Sequence, residues 1–479
     1  MTKTEYESVI GLEIHAELDT ASKMYCGCTT AFGGEENTHC CPVCTALPGA
    51  MPALNRRAVE YCVKAGLAMD CDISPYSRQD RKHYFYPDLP KAFQTSQFDL
   101  PLCTGGHVDV AMENGESKRF HLTRIHIEED AGKLLHEGNL TRVDLNRCGV
   151  PLIEIVTEPE FRNSQEVRLF FEEVRRILVA IGVCNGKMQE GSLRCDVNLS
   201  VRPVGQAALG TRTEMKNINS FSAVQRAVEY EKKRQIRVIE DGGVITQDTL
   251  RWDDAKNLNY SMRSKEDADE YFYFPEPDIM PIALSEQEIS HLRDELPELP
   301  AARRTRYREQ LGLSEYDARL LSDSQIIYTL FDQTMQHAVD PKQAANYILS
   351  DISRLMNEKN QQTDPGIPFS AAELAGLIGM VESGQISRSI ASKVLDAMFD
   401  GEGTAAQIVD AHGWAQMNDQ GAIRSLCQEV IANNPKAVAD YKAGKEKALT
   451  SLVGQVMKAS KGKANPGMVN AWIKELLAE

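Results

Sequence analysis

Several stretches of this sequence carry carboxylates and imidazoles in the phase of a β-strand. From Val9 to Leu18, Glu13, His15 and Glu17 point one way and Leu12, Ile14, Ala16 and Leu18 the other, the period-two alternation of a half-buried strand. From Leu122 to Lys133, Arg124, His126 and Glu128 share a face, Glu129 and Asp130 follow, and Gly132 marks a turn. From Cys195 to Arg202, Asp196, Asn198, Ser200 and Arg202 line one side, and in Thr213–Asn217, Glu214 and Lys216 fall together. Glu154 is the single charge in an otherwise apolar run from Val150 to Val156, where a carboxylate needs a partner or an ion. An ordinary wet strand face explains any one of these stretches; their repetition argues for a shared site. Glu13, His15, Glu128, Glu154, Asp196 and Glu214 brought together would repel one another, and divalent cations remove that repulsion. Mostly carboxylate donors suit a hard ion, magnesium or manganese rather than zinc. With Lys91, Arg124, Arg147 and Lys216 adding positive charge, the residues compose a phosphoryl-transfer site. No G-x-x-x-x-G-K-[ST] loop occurs, nor a G-x-G-x-x-G after a strand, so ATP would be held on an open sheet.

A second set is made of thiols. Cys26 and Cys28 form a C-x-C pair, and Cys41-Pro42-Val43-Cys44 a C-P-x-C knuckle. Four thiolates satisfy one tetrahedral zinc and leave no open position, so this metal is expected to clip a loop rather than catalyse. His39 and Cys40 stand beside the second pair as alternative ligands, and the knuckle spacing favours Cys41 and Cys44. The stretch Arg78–Gln94 interleaves basic residues with aromatics and two prolines; such a loop can stack a base and hold phosphates, and an aromatic-rich loop packed on its own domain has the same composition.

The elements that must position these residues are legible from periodicity. Asn55 caps a helix carrying Val59, Cys62, Val63 and Leu67 on one face; Asn163 or Ser164 caps another running to about Ile181; Ser220 caps a long third to about Ile239. Beyond about residue 293 helical periodicity takes over, punctuated by Pro297, Pro300, Pro365 and Pro368, with a hinge-like run at Asp400–Thr404. The 479 residues are too many for one core and predict about three domains. Hydrophobic content of 42% and charged content of 25% describe a globular protein. No apolar run spans a membrane and no secretory h-region is present, so a cytoplasmic protein is expected. The net charge of −16 excludes a simple duplex-coating protein. From Lys436 to Glu479, however, eight lysines face four acids, a local basic window able to meet a nucleic acid.

The chain closely resembles the GatB family, the B subunits of aspartyl/glutamyl-tRNA amidotransferases, along nearly its whole length. The residues that carry the resemblance are Gly11–His15; Asp80-Arg81-Lys82 through Tyr86–Lys91; His126–Lys133; Asp144–Arg147 with Pro151–Glu154; Thr213–Asn217; Met262–Lys265; Tyr273–Asp278; and the tail run Lys461–Gly467.

The resemblance implies an α+β architecture: an N-terminal cradle with a central antiparallel, glutamine-synthetase-like sheet over 1–292, an all-α domain over 293–405, and a YqeY-like helical tail over 406–479 that touches tRNA through Lys458, Lys461 and Lys463. It implies a ligase in which ATP phosphorylates the side-chain carboxylate of Glu on tRNA(Gln) or Asp on tRNA(Asn), and ammonia then displaces phosphate. The ammonia would come from a glutaminase, the A component of the complex; a small C component would brace the pair, and a non-discriminating aminoacyl-tRNA synthetase is a further partner. Carried over residue by residue, Glu13, His15, Glu128 and Glu214 surround the catalytic magnesium or manganese, with Asp196 and Lys216 close by. Lys91, Arg124, Arg147, Glu154 and Asn198 are the expected nucleotide- and substrate-binding set. His15 is an awkward ligand for magnesium; binding manganese, acting through water and orienting Glu13 are its open roles. Zinc at the four cysteines matches some members. The rival function is a non-catalytic tRNA-docking component whose acidic sheet holds a structural ion; a zinc-ribbon transcription factor fits only the cysteine stretch.

Overall fold

A computed structural model describes residues 4–218, 220–264, 271–359, 366–415, 420–442, 445, 447–460 and 464–478. It divides into two compact units, residues 1–301 and 302–479. The first holds the strands β1 (Tyr6–Glu17), β2 (Asp72–Ile73), β3 (Tyr76–Ser77), β4 (Asp80–His83), β5 (Phe93–Ser96), β6 (Cys103–Thr104), β7 (His107–Ala111), β8 (Ser117–Glu129), β9 (Lys133–Glu137), β10 (Leu140–Asp144), β11 (Pro151–Thr157) and β12 (Leu193–Pro203). They continue with β13 (Thr213–Ile218), β14 (Asp248–Asp253), β15 (Leu258–Ser264), β16 (Phe272–Pro275) and β17 (Ile282–Ala283). Helices α1 (Arg56–Ala68), α2 (Ser164–Ala180) and α3 (Phe221–Glu240) interrupt the series.

Each helix begins at a side-chain cap. Asn55 accepts from the Arg57 amide, Asn163 from Glu166, and Ser220 from Ala223, so the local chemistry that starts a helix is in place. Their apolar stripes, Val59, Cys62 and Val63 on α1, Val167, Phe170, Phe171 and Val174 on α2, and Ala223, Val224, Ala227 and Val228 on α3, are buried in one core.

That core is the underside of a ten-stranded sheet ordered β15-β14-β13-β12-β1-β11-β8-β6-β2, with β7 paired to β8. Strand β1 lies in its middle, antiparallel to β11 and β12. Ile14, Val197, Ile153 and Ile125 are all essentially inaccessible, facing the helices. The sheet is mixed rather than wholly antiparallel: β13 and β14 run parallel. The reason is α3, which lies between them in sequence; a parallel neighbour needs a long crossover, and a helix of this length supplies one. A separate three-stranded sheet, β16-β4-β5, comes from stretches that read as an aromatic loop and an isolated motif. Its register sets Lys82 beside both Gln94 and Tyr273, and Arg81 beside Thr95 and Phe274.

The second unit is helical in its described residues and contains two apolar clusters. One gathers residues from Tyr307 to Val409, including Phe331, Tyr347, Leu374 and Val394; the other gathers Ile423, Cys427, Leu452, Val456, Val469 and Ile473. The final helix, Pro466–Ala478, opens with proline in its first turn, where the missing amide costs no helical hydrogen bond.

Because Ile14 is fully buried at the centre of the sheet, Ile14→Ala should destabilise the first unit by about 2–5 kcal/mol, the range for emptying a buried isoleucine site. Urea denaturation followed by tryptophan fluorescence, with Trp252 buried in the same core, checks this.

Candidate active site

The upper face of the large sheet is polar because β1 and its neighbours are in register. Glu13 stands opposite Asp196, His15 opposite Glu154 and Arg194, Glu154 opposite His126, and Asn198 opposite Glu214. Cross-strand partners share a face, so alternation along five strands collects one patch of acids, imidazoles and cations.

The patch has two donor groups. Glu13, Asp196 and Glu214 each offer an oxygen, and His15, Glu128 and Glu154 each offer a ligand atom, all within 4.8 Å of one another inside a group. Among the described residues, the four side chains expected around a single metal therefore fall into two groups rather than one. The cause is strand geometry: Glu13 and His15 are two residues apart on β1, a spacing of roughly 7 Å, so they reach to different neighbours. Both sets are chemically suited to hard divalent ions, the first all-oxygen and the second with one imidazole.

Each carboxylate is held. Asn198 Nδ2 donates to Glu13 Oε1 at 2.9 Å. Lys216 Nζ bridges Asp196 Oδ2 at 3.0 Å and Glu214 Oε1 at 2.9 Å, and Thr249 Oγ1 donates to Glu214 Oε2 at 3.1 Å. Glu128, buried beneath the small sheet, accepts from Gln94 Nε2 at 3.0 Å and Ser96 Oγ at 2.5 Å. His126 Nε2 lies 3.2 Å from Glu128 Oε1 and 3.5 Å from Glu154 Oε2, and His15 Nε2 lies 3.5 Å from the same Glu154 oxygen. Glu154 thus links the two histidines, which answers why a charge interrupts an apolar strand.

The electrostatics follow from these contacts. Burial alone would raise Glu154, but His126, His15 and Lys82 hold it well below the usual carboxylate range. Burial would likewise lower His15; the hydrogen bond and charge of Glu154, with Asp196 adding to them, instead hold it at about 9. Glu13 is raised by burial and by the charges of Glu154 and Glu214. At the far end of the face, burial and the neighbouring Asp130 push Glu17 up to about 8, while Arg194 and Arg147 keep Asp130 ionised against its burial; Arg194 Nη2 reaches Asp130 Oδ2 at 2.5 Å.

Other expected residues are placed differently. Arg147 lies 3.6 Å from Asp130 and donates to the carbonyls of Ala131 and Gly132, a loop-holding role. Lys91 is bonded to Glu129, and both line a cavity of about 270 Å³ with Tyr25, Cys44, Arg81 and Glu276. Glu128 and Glu129 are consecutive in a strand, so they serve opposite faces. Arg124 stays on the polar face, its Nε buried without a hydrogen-bond partner. Lys458 is exposed on a helix of the second unit; Lys461 and Lys463 lie outside the described residues. Gln94, Ser96, His126, Arg194 and Lys82 are the site residues not selected singly from the sequence. His126 had a signal in its shared phase with Glu128, and Lys82 and Gln94 fall inside the basic–aromatic stretch Arg78–Gln94; Ser96 and Arg194 had none.

Cys26, Cys28, Cys41 and Cys44 converge as a third donor group. Hydrogen bonding from Cys26 leads the effects that draw Cys44 down to about 4, with the Cys41 amide and Lys23 assisting against burial. Cys41 Sγ is 3.9 Å from Cys44 Sγ, whereas Cys40 Sγ turns to Asn146. Four soft donors with one already thiolate-like fit zinc.

A two-faced sheet with helices below and carboxylates suited to a metal above defines the class: a mixed α/β domain followed by a helical region. Residues 8–290 match the model of the GatB/GatE catalytic domain, and residues 329–477 that of the GatB domain. The chain is 53% identical over 479 residues to the B subunit of the aspartyl/glutamyl-tRNA(Asn/Gln) amidotransferase of Caldicellulosiruptor saccharolyticus, covering 99% of each chain. It is 51% identical to the protein of that name in Thermoanaerobacter sp. strain X514 and 50% identical to that of Moorella thermoacetica, in both cases covering 99% of this chain and 100% of the relative. The chain belongs to the GatB family. No helix among the described residues is long and apolar enough to cross a membrane.

The His15–Glu154 pair gives a pH prediction for the metal-free protein. His15 rises from its ordinary 6.5 to about 9 on folding, so its contribution is complete below about pH 6.5 and is lost as pH climbs through about 9. The thermal midpoint should fall across that window, and Glu154→Gln should flatten the fall; scanning calorimetry between about pH 6 and 10 reads both.

Proposed function

We propose that the chain is the B subunit of a tRNA-dependent amidotransferase and that its polar sheet face carries the ATP-dependent half of the reaction. The observation that supports this most directly is the convergence of His15, Glu128 and Glu154 beside Glu13, Asp196 and Glu214. The reaction is that of an ATP-dependent, glutamine-hydrolysing carbon–nitrogen ligase. The substrate is Glu carried on tRNA(Gln), Asp carried on tRNA(Asn), or both. The substrate's side-chain carboxylate oxygen attacks the γ-phosphorus, the bond to the β–γ bridging oxygen breaks, and ADP leaves. Ammonia then attacks the acyl carbon; phosphate departs and the nitrogen loses a proton. A free carboxylate resists the second step because its oxygen is a poor leaving group, and the acyl phosphate supplies a good one.

Magnesium or manganese, held by His15, Glu128 and Glu154 or by Glu13, Asp196 and Glu214, would neutralise phosphate oxygens. The remaining roles fall to side chains. Asn198 and Lys216 fix Glu13, Asp196 and Glu214 in one orientation; Gln94 and Ser96 do the same for Glu128. The strands and their hydrogen bonds hold these groups before substrate arrives, which is what electrostatic catalysis requires. Zinc at Cys26, Cys28, Cys41 and Cys44 would clamp the loop that walls the neighbouring cavity. The partners of this reading are the glutaminase (A) and small bracing (C) components of a heterotrimer, and tRNA. A non-discriminating aminoacyl-tRNA synthetase is a further partner, and the work is cytoplasmic. Residues 1–292 form the catalytic cradle, of glutamine-synthetase type, 293–405 a helical spacer, and 406–479 the tRNA-gripping tail.

In the reconstituted heterotrimer, Glu128→Gln should lower ATP-dependent amide formation on misacylated tRNA by at least about 100-fold, while glutamine hydrolysis stays measurable. Full transamidation by that variant would sink the assignment, and absence of magnesium-dependent ATP binding by the wild-type complex would leave only docking.

In the tail, Lys436, Lys442, Lys447, Lys458 and Lys474 are exposed. Replacing them with alanine should weaken tRNA binding and flatten its salt dependence by about one unit of slope per lost phosphate contact. Filter binding across a potassium chloride series measures this; an unchanged slope would return recognition to the first unit.

A further inference from the structure

The cations of the first unit's polar clusters are, with few exceptions, already neutralised by the protein. Lys216 is taken by Asp196 and Glu214, Arg194 by Asp130, Lys91 by Glu129, and Arg81 by Glu276 and Asp278. Among the described residues, the Lys82 side chain makes no ion pair and no hydrogen bond.

Its position is fixed by the small sheet. Lys82 on β4 is the cross-strand neighbour of Gln94 on β5 and of Tyr273 on β16. Cross-strand neighbours share a face, and Gln94 uses that face to donate to Glu128. Lys82 is therefore directed from above toward the carboxylates that the large sheet presents from below. Its Nζ lies 4.7 Å from the centre of the Tyr271 ring, a cation–π contact that steadies the chain without neutralising its charge. Glu128 and Glu154 act on it from below and outweigh the effect of its burial, holding the ammonium protonated. Arg124 approaches the same region from β8: its charge and that of Lys82 both act on the Tyr273 phenol, and its Nε is buried without a partner.

Two positive groups thus stand in an acidic, partly dry site with hydrogen-bonding capacity that no protein carboxylate in direct contact takes up, which leaves them open to an incoming anion. Carboxylates of the protein are within electrostatic reach of Lys82, yet among the described residues none closes on it. We propose that Lys82 is a catalytic residue that contacts the oxygens of the γ-phosphoryl group during its transfer from ATP to the substrate carboxylate, with Arg124 as the second cation of that seat. This rests on the reading of the polar face as the ATP-dependent half-site. Charge on the equatorial oxygens grows or spreads in the transfer, and a fixed ammonium stabilises it more than water would. Lysine suits the task as a compact point charge on a flexible stem.

The test uses the full heterotrimer with misacylated tRNA and ammonium chloride as the nitrogen donor, so that delivery of ammonia from glutamine plays no part. Lys82→Met should lower kcat for ADP release and amide formation by about 100-fold or more, the scale of removing one preorganised charge. Lys82→Arg should recover to within about tenfold of wild type, since the charge is kept. Zinc content and manganese binding, read by paramagnetic resonance, should match wild type in both variants, which shows that the cysteine loop and the carboxylate groups are intact. The proposal is overturned by wild-type rates in Lys82→Met, by a loss seen with glutamine but absent with ammonium chloride, by a loss matched by weakened manganese binding, or by an arginine variant as slow as the methionine one. Failure of the wild-type complex to form ADP would instead strike down the half-site reading itself.

Discussion

The structure depends on keeping like charges close together in a place that is only partly wet. Glu13, Glu128, Glu154, Asp196 and Glu214 occupy one face of one sheet, and Glu128 and Glu154 are buried. At an effective dielectric near 20, two unit charges about 4 Å apart interact by about 4 kcal/mol, so several unrelieved contacts of that kind would exceed the stability of a whole domain. The protein relieves them locally. Lys216 sits between Asp196 and Glu214, His15 and His126 flank Glu154, and Gln94 and Ser96 donate to Glu128. The relief is incomplete: burial first, then the charges of Glu154 and Glu214, leave Glu13 with a raised pKa. A site with residual negative potential is one that attracts divalent cations.

What allows such crowding is the division of labour between the two sides of the sheet. Below it, α1, α2 and α3 cover an unbroken apolar layer that includes Ile14, Ile125, Ile153 and Val197. Burial of that layer stabilises the strands in one register, since a slip of one residue would turn the apolar side chains out of the core and the polar face into it. The same register that satisfies the core aligns Glu13 with Asp196 and His15 with Glu154. Packing energy on one face thus fixes the electrostatics on the other.

The small sheet β16-β4-β5 is built on the same principle at a smaller scale. One face offers Lys82, Gln94 and Ser96 toward the carboxylates. The other carries Arg81, Phe93 and Phe274, with Arg81 forked onto Glu276 at 2.7 Å through both nitrogens and stacked 4.3 Å over Phe93. Arg81 and Phe93 also line the cavity of about 270 Å³ bounded by the cysteine loop. The sheet separates two chemically distinct spaces, an acidic face and a mixed aromatic–ionic cavity, and Glu128 and Glu129 belong to one each.

Much of this was legible in the chain itself. Alternation in Leu12–Glu17 and Cys195–Arg202 assigned each residue to a face, caps at Asn55, Asn163 and Ser220 set the helix starts, and the charge at Glu154 announced a partner. Those properties are local: they follow from backbone periodicity and from the hydrogen-bonding reach of a side chain to its own neighbours. Which strand lies beside which is not local. Only tertiary structure decided that Glu13 meets Asp196 and Glu214 while His15 meets Glu154 and Glu128, and so divided an expected single set of ligands into two. Only it ran β14 parallel to β13 after the α3 crossover, and only it folded Phe272–Pro275 against Asp80–His83, almost two hundred residues away in the chain. Lys82 and Gln94 fall in the basic–aromatic stretch Arg78–Gln94, yet nothing local aims them or Ser96 at Glu128, because a single lysine, amide or hydroxyl becomes part of a site only when another strand brings a carboxylate to it.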